Sequence, residues 1–292
     1  MPHPPQTSTP SLTIANEEEV ADFIQKWAGK DGGERANYQL FIGELCHLLG
    51  TPAPDPASSD TAENAYVFER QVEFSGNLSS DTTPRSYGYI DCYKRGCFVL
   101  ETKQGVEKKT REALSDAGRE REARRRKGHG VRGSRAWDET LVKARNQADR
   151  YVRGLPPTEG RPPFLIVADV GHCIELYSEF TRSGGIYTPF PNARSHRIML
   201  NDLRDPGIRE RLRLVWTDPL SLDPARRTAA VTRDVAAKLA ALAKSLEKSG
   251  HQPKFAAEFL MRCIFTMFSE DVELIPKGSF SEMLKSLRGK VH

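Results

Sequence analysis

The sequence predicts an α/β fold in which a mixed β-sheet is flanked by helices and followed by a helical C-terminal segment. Three observations support this prediction. Two segments with helical apolar spacing come first, five strand-like segments follow with one helix after the third, and helical patterns return after residue 201. Helices placed before and between strands in this way typically cover the faces of a sheet.

The first two helices are expected within residues 16–49. Asn16 stands in the N-cap position before three glutamates, and apolar residues then recur at helical spacing as far as Trp27. A second pattern covers residues 33–49 and ends at Gly50. Residues 1–15 are rich in Pro, Ser and Thr, which favours a disordered tail.

The strands and the remaining helices follow from alternation and from apolar runs. Strands are expected at 66–74, at 163–169, at 173–180 and, as two short strands joined by a tight turn, within 89–103. A helix capped by Asp138 is expected to run to about Arg153. Further helices are expected at 208–214, 228–249 and 255–268, and the last is so apolar that its face needs a partner.

The hairpin within 89–103 carries three charged residues at regular spacing. Because side chains alternate along a strand, Glu101 and Lys103 are expected on one face of their strand. On the preceding strand, Ile90 and Cys92 are expected together on the face opposite Asp91. The hairpin can therefore bring two carboxylates and one ammonium together at the edge of an otherwise apolar sheet.

Two carboxylates and an ammonium are what a metal-dependent phosphodiesterase requires. The carboxylates hold one or two Mg²⁺ ions, and the lysine places the attacking water and balances the developing charge. The alternative is a surface hairpin with a cross-strand ion pair. The apolar run from Phe98 to Leu100 favours the first interpretation, because charges beside a central strand cost free energy unless they bind something.

Positive charge is concentrated immediately after this hairpin. The net charge of the chain is +4, and residues 107–127 alone hold nine Lys and Arg against five Asp and Glu. We expect a basic arm over 107–135 that contacts nucleic-acid phosphates, although a solvated helical arm has the same composition. The expected contacts are Arg124, Arg125, Arg126, Lys127 and Arg132.

Composition limits the location of the protein and its other possible sites. No apolar run approaches the ~18 residues of a membrane span, and the N-terminus lacks a signal-peptide core, so we expect no membrane partner and a cytoplasmic protein. The five scattered cysteines indicate reduced thiols. Cys92, Cys97 and the pair His172-Cys173 can be imagined as a zinc site, but buried packing is the favoured interpretation.

The element order and these residues resemble the PD-(D/E)XK nuclease superfamily over about residues 34–182. The resemblance implies a restriction-endonuclease-like sheet with Mg²⁺ as cofactor and Mn²⁺ able to substitute. It implies that Asp91, Glu101 and the carbonyl of Thr102 bind the metal and that Lys103 orients the attacking water. Gln147 and Tyr151 match the Gln-x-x-x-Tyr signature that some of these nucleases carry on the following helix.

A closer resemblance is to the N-terminal nuclease part of MmeI-like (type IIL) restriction–modification enzymes. It is carried by residues 41–50 and 68–72 and by the Asp/Glu-x-Lys spacing. It implies a nuclease domain at 16–200 and the start of a helical spacer at 201–292. It also implies that Glu44 supplies an additional acid to the metal site, with Glu69 as a competing candidate.

In that family the nuclease, the spacer, a DNA methyltransferase and a target-recognition domain share one polypeptide. This sequence has no Gly-rich S-adenosylmethionine loop and no Asn-Pro-Pro-Tyr-type motif. We therefore expect a Mg²⁺-dependent endonuclease module for double-stranded DNA that dimerises on DNA and works with methyltransferase and recognition domains downstream or on another chain. The alternatives are a non-catalytic DNA-binding or scaffold domain of a methyltransferase complex and a structure-specific repair nuclease.

Overall fold

The computed structural model describes residues 15–30, 34–74, 86–106 and 130–287. The chain forms two compact units, one ending at Asp223 and the other beginning at Pro224. The first unit therefore extends beyond residue 200, where the nuclease domain was expected to end. The predicted tail at 1–15 lies outside the described residues except for Ala15.

A mixed sheet forms the centre of the first unit. Its strands are β1 (Tyr66–Phe74), β2 (Ser86–Lys94), β3 (Phe98–Lys103), β4 (Phe164–Asp169), β5 (Cys173–Ser178), β6 (Thr188–Pro189) and β7 (Arg197–Met199). They are ordered β1-β2-β3-β4-β5-β6, and β7 also pairs with β5. Only β3 and β4 run parallel, since the chain crosses over between them, whereas the other neighbours are antiparallel. The predicted α/β fold with a mixed sheet is confirmed.

Within the described residues, four helices accompany the sheet and three form the second unit. The first unit contains α1 (Glu17–Trp27), α2 (Glu34–Leu48), α3 (Arg135–Gly154) and α4 (Pro206–Thr217), and the second contains α5 (Pro224–Lys248), α6 (Pro253–Asp271) and α7 (Ser279–Leu287). Short 3₁₀ helices lie at Pro157–Glu159, Leu200–Arg204 and Pro219–Leu222. Asn16 caps α1 as predicted, and its side chain and that of Glu19 form a capping box.

The two faces of the sheet bury separate apolar clusters. The α2-side cluster contains apolar residues of α1, α2 and α4 together with Phe98 and Leu100 of β3. The α3-side cluster contains the apolar stripe of α3 together with Val99 of β3. Alternation along β3 is therefore as predicted. Trp216 of α4 packs on Phe98 with 4.5 Å between ring centroids, which explains why α4 belongs to the first unit.

Alternation fails along β2. Ile90 belongs to the α3-side cluster, whereas Cys92, two residues later, belongs to the α2-side cluster. The prediction that these two residues share a face is therefore wrong. The face of the sheet on which β2 presents its side chains therefore changes at Asp91, between Ile90 and Cys92.

The neighbouring strand β1 reverses at the same level. Phe68 packs against the α2-side cluster, whereas Val72 lies in the α3-side cluster, although both are even-numbered. Between them Glu69 has φ = 52°, in the left-handed region that a strand residue rarely adopts. Glu69 lies opposite Asp91, between the paired positions on either side. One local backbone feature thus changes the side on which both strands present their residues.

The second unit leaves a large apolar surface exposed. On α6 the apolar side chains of Phe255, Phe259, Ile264, Phe265 and Phe268 are each at least 44% exposed. This agrees with the predicted apolar character of 255–268. None of the helices in the described ranges combines the length and the apolar character that a membrane span requires.

Trp216 provides a test of the part that α4 plays in the first unit. Its side chain is fully buried, and Nε1 donates to the hydroxyl of Tyr66 at 3.1 Å. Trp216→Ala should lower the free energy of unfolding by about 3–5 kcal/mol, because it leaves a cavity. Denaturant unfolding followed by circular dichroism measures this. Leu40→Ala, on the exposed face of α2, should change the value by less than about 0.5 kcal/mol; a similar small change for Trp216→Ala would contradict the assignment.

Candidate metal centre

The candidate site lies where β2 and β3 part. Their backbone pairing ends at Cys92 and Leu100. Beyond this pair the carboxylate of Asp91 takes the place of a backbone partner. Its Oδ2 accepts the backbone N–H of Thr102 at 2.6 Å and the Thr102 hydroxyl, also at 2.6 Å. A side chain therefore holds the two strands together while their backbones diverge.

Lys103 occupies the other side of this opening. Its Nζ donates to Glu101 Oε1 at 2.8 Å and to the carbonyl oxygen of Thr102 at 2.7 Å. Glu101 is buried, and the Lys103 side chain is about one fifth exposed. The ammonium therefore already contacts two of the three ligands that the family resemblance implies. The opening between β2 and β3 thus carries four polar or charged residues, namely Asp91, Glu101, Thr102 and Lys103.

The electrostatic state of Asp91 reflects its half-buried position. Loss of solvent raises the pKa of this carboxyl above its usual value. The two hydrogen bonds from Thr102 and the positive charge of Lys103 partly oppose that rise, and the negative charge of Glu69 adds to it. In the folded protein the ionised form of Asp91 is therefore less favourable than it is in water.

The donor set fits a hard divalent cation. Two carboxylates and a backbone carbonyl are all oxygen ligands, which Mg²⁺ and Mn²⁺ prefer to nitrogen or sulfur. Within the described residues, no group of three or more His, Cys, Asp and Glu side chains is placed to hold a metal ion. The oxygen atoms available to a cation at this site are those of Asp91, Glu101 and the Thr102 carbonyl.

Glu44 is not brought into this site. Its carboxylate forms an ion pair with Lys26 of α1 and accepts the indole N–H of Trp27 at 2.9 Å. The suggestion that Glu44 supplies an additional metal ligand is therefore not supported by the structure. The same bonds show its role, because they join α1 to α2 at the end of the helix pair.

Gln147 and Tyr151 meet each other rather than the carboxylates. The amide of Gln147 donates to the Tyr151 hydroxyl at 2.9 Å across one turn of α3. The Tyr151 ring stacks on Phe74 of β1 with 5.9 Å between centroids. It also lies against Gly88 of β2 so closely that a Cβ there would come within 2.5 Å of Cε1. The pair therefore braces the β1–β2 hairpin from the α3 side.

A buried aspartate that the sequence analysis did not identify supports the site from β4. Asp169 is fully buried and stands beside Lys103 in the parallel β3–β4 register. It accepts the backbone N–H of Gly105 at 2.9 Å, the indole N–H of Trp137 at 2.8 Å and two N–H groups of Arg132 at 2.9 and 3.1 Å. The sequence signal was an acidic residue directly ending an apolar strand.

This network corrects the assignment of Arg132. The residue is buried, and its guanidinium also donates to the carbonyl of Val170 at 2.8 Å. Arg132 is therefore a structural residue and not a contact for DNA phosphates. The other four expected contacts, at 124–127, lie outside the described residues. Val106 and Val131 form an isolated bridge, so the two ends of that segment are held together beyond β3.

The cysteines pack as expected instead of forming a zinc site. Cys92 and Cys97 belong to the α2-side cluster, and Cys173 belongs to the α3-side cluster, so the sheet separates them. All three are free thiols. Burial raises the pKa of each of them, which keeps them protonated and poor ligands.

Asp169→Asn should strongly destabilise the first unit. The exchange leaves the buried guanidinium of Arg132 without its counter-charge, which typically costs about 3–5 kcal/mol. The free energy of unfolding, measured with denaturant in the absence of metal, tests this. Asp149→Asn removes an exposed i,i+4 pair with Arg153 and should cost less than about 1 kcal/mol. Equal effects of the two changes would contradict the proposed role of Asp169.

Asp91→Asn should act in the opposite direction. The pKa of Asp91 is raised in the folded protein, so its ionised form lowers stability at every pH above the pKa of the unfolded chain. Asparagine keeps an oxygen for the two Thr102 hydrogen bonds and carries no charge. In EDTA at pH 7–8 the unfolding temperature should be unchanged or higher. A clear decrease would show that Asp91 serves stability rather than cation binding.

Comparison with known proteins identifies the family. Residues 15–249 match the family described as MmeI, N-terminal domain, and residues 254–292 match the family described as MmeI, helicase spacer domain. Searches of curated proteins and of solved structures returned no match. The first match covers well over half of the chain and confirms the resemblance seen in the sequence. The chain therefore belongs to the MmeI-like (type IIL) restriction–modification family, as an N-terminal region with spacer residues.

Proposed function

We propose that this chain is the Mg²⁺-dependent DNA-cleaving module of its restriction–modification enzyme, with Mn²⁺ able to replace Mg²⁺. One observation carries the proposal. The ammonium of Lys103 bridges the Glu101 carboxylate and the Thr102 carbonyl, and the Asp91 carboxylate lies on the same residue, Thr102. A protein cation thus binds two of the proposed ligands, and the third is bonded to the residue that supplies one of them.

Asp91, Glu101 and the Thr102 carbonyl would hold the ion. Bound Mg²⁺ supplies Lewis-acid stabilisation of the phosphate and a water of lowered pKa. With the ion in place, Lys103 would release Glu101 and Thr102, and its ammonium would donate to the attacking water and to a phosphate oxygen. Its positive charge would then face the negative charge that develops on the phosphate. Asp169 keeps Lys103 in place by fixing the end of β3.

DNA is the proposed substrate, and the basic segment after β3 is the proposed phosphate contact. Its charge comes from nine Lys and Arg against five Asp and Glu in residues 107–127. Val106, three residues after Lys103, forms an isolated bridge with Val131 on the other side of this segment. The segment therefore starts beside the candidate metal centre. Binding through phosphates is independent of sequence and weakens with salt.

Target recognition and DNA modification are proposed to come from domains downstream or on another chain. We further propose that two copies of the module act together, because one site cuts one strand and a double-strand break needs two. The membership of the MmeI-like family supports both proposals.

A non-catalytic DNA-binding or scaffold domain is the second candidate. The Lys103–Glu101 ion pair favours it to a degree, because an internal counter-charge also satisfies Glu101 where no metal ever binds. In that case Lys103 and Glu101 are only a buried pair at a strand end. Metal binding distinguishes the two candidates directly.

The test is calorimetric titration with Mg²⁺, followed by nicking of supercoiled plasmid. The wild-type chain should bind Mg²⁺, and Glu101→Ala should bind at least roughly tenfold more weakly, since a charged ligand is lost. Lys103→Ala removes the competing ammonium, so it should bind Mg²⁺ as well as wild type or better. Its nicking rate should nevertheless fall by roughly 10²–10³-fold, because the ammonium that would stabilise the negative charge developing on the phosphate is missing.

Glu139→Ala is the matched control for these variants. This glutamate pairs with Arg135 on the exposed side of α3, and its loss should change neither titration nor nicking. The absence of Mg²⁺ binding by the wild-type chain would reject the nuclease proposal and favour the scaffold. Unchanged nicking by Lys103→Ala would reject the role given to Lys103.

A further inference from the structure

Glu69 combines an unusual backbone with a position opposite the candidate metal ligand Asp91. Three non-glycine residues in the described ranges have positive φ, namely Glu69, Arg182 and Glu273. Of these, Glu69 alone lies inside a strand. A left-handed residue in a strand costs free energy and persists only where the surroundings impose it. Its occurrence here, beside Asp91, calls for a physical reason.

The backbone at Glu69 coincides with the reversal of both strands. On β1 the side changes between Phe68 and Val72, and on β2 it changes between Ile90 and Cys92. In regular strands, residues two apart would remain on one side. The reversal therefore sets the direction in which the residue between Ile90 and Cys92 points.

The residue between Ile90 and Cys92 is Asp91. The reversal turns its side chain toward Thr102. Thr102 lies two residues after Leu100 on β3, and Leu100 faces the α2-side cluster. Asp91 Oδ2 reaches both the N–H and the hydroxyl of Thr102 at 2.6 Å. These hydrogen bonds place the Asp91 carboxylate on Thr102, in the opening between β2 and β3.

Helix α2 holds Glu69 in its unusual conformation. The hydroxyl of Tyr38 donates to Glu69 Oε1 at 2.5 Å and accepts the amide of Gln39 at 2.9 Å. The Tyr38 ring also packs edge-on against Phe68, the residue before Glu69, with 5.8 Å between centroids. Tyr38 is buried, so it is a fixed point against which β1 is held.

We propose that Glu69 is a positioning residue of the metal centre. Its left-handed backbone, held from α2 by Tyr38, reverses β1 and β2 and thereby aims Asp91 at Thr102. The inference rests on the proposed metal-dependent function for its purpose, but its structural part can be tested without metal. The backbone of residue 69 aims Asp91, and its carboxylate serves only to bind Tyr38.

Three substitutions at one position separate these roles. Glu69→Gly adopts positive φ freely, Glu69→Gln keeps an acceptor for Tyr38, and Glu69→Val has a β-branched side chain that disfavours positive φ. We expect Mn²⁺, titrated into the full chain by calorimetry, to bind the Gly and Gln variants within roughly threefold of wild type. The Val variant should bind at least roughly tenfold more weakly, as strain at this φ predicts.

Hydrogen exchange at the Thr102 amide is the readout that does not require metal. In wild type this N–H is bonded to Asp91, so it should exchange slowly, and the same holds for the Gly and Gln variants. In Glu69→Val it should exchange at least roughly tenfold faster, while amides of β4 remain protected. Protected β4 amides also show that the variant is folded.

Glu73→Val is the matched control, because Glu73 is also exposed on β1 and its φ is not positive. It should leave Mn²⁺ binding and Thr102 exchange unchanged. If Glu69→Val behaves like this control, the positioning role is rejected. If Glu69→Gly or Glu69→Gln loses metal as severely as Glu69→Val while Thr102 stays protected, the carboxylate itself acts and the inference is overturned. If the wild type binds no Mn²⁺ and only Glu69→Val exposes Thr102, the proposed function fails but the positioning role stands.

Discussion

The buried carboxylate of Asp169 is the interaction on which the rest of the first unit depends. It ties four parts of the chain to one point: the end of β4, the turn after β3 through Gly105, the start of α3 through Trp137, and Arg132 from the segment that returns beyond β3. Such a carboxylate is stable only when every donor is in place, because an unpaired buried charge is very costly. The end of β3 is therefore fixed in space, and with it Lys103 and the Thr102 carbonyl.

The candidate metal centre lies at this fixed end of β3, and its aspartate, Asp91, has fewer hydrogen-bond donors than Asp169. Asp169 is saturated by four donors, whereas Asp91 receives two hydrogen bonds, both from Thr102, and burial raises its pKa. A saturated carboxylate adds rigidity, whereas a bound cation would favour the ionised form of a carboxyl whose pKa burial has raised. Asp169 thus has the structural role, and Asp91 has the proposed chemical role.

Local patterns in the sequence were sufficient for the sheet, for the side of β3 that carries Glu101 and for the capped start of α1, because alternation and capping depend on near neighbours. They were insufficient where the partner is remote in sequence. The sequence predicts Arg132 as a phosphate contact, but in the fold it pairs with Asp169. Glu44 was a candidate metal ligand, but in the fold it pairs with Lys26 of α1. The reversal at Glu69 is of the same kind, since no sequence pattern marks a glutamate as left-handed.

The reversal also explains why an arginine lies inside the protein. Arg70 follows Glu69 and is turned to the α3 side, where its guanidinium bonds Glu159 at 2.6 Å and lies 5.7 Å from the ring of Tyr93. The Tyr93 hydroxyl donates to the same carboxylate at 2.5 Å. Without the reversal, Glu159 would lose the buried guanidinium of Arg70 and keep only the partly exposed Arg95, whose Nε lies 3.5 Å from Oε2. The buried Arg70–Glu159 pair therefore stabilises the conformation that aims Asp91 at Thr102.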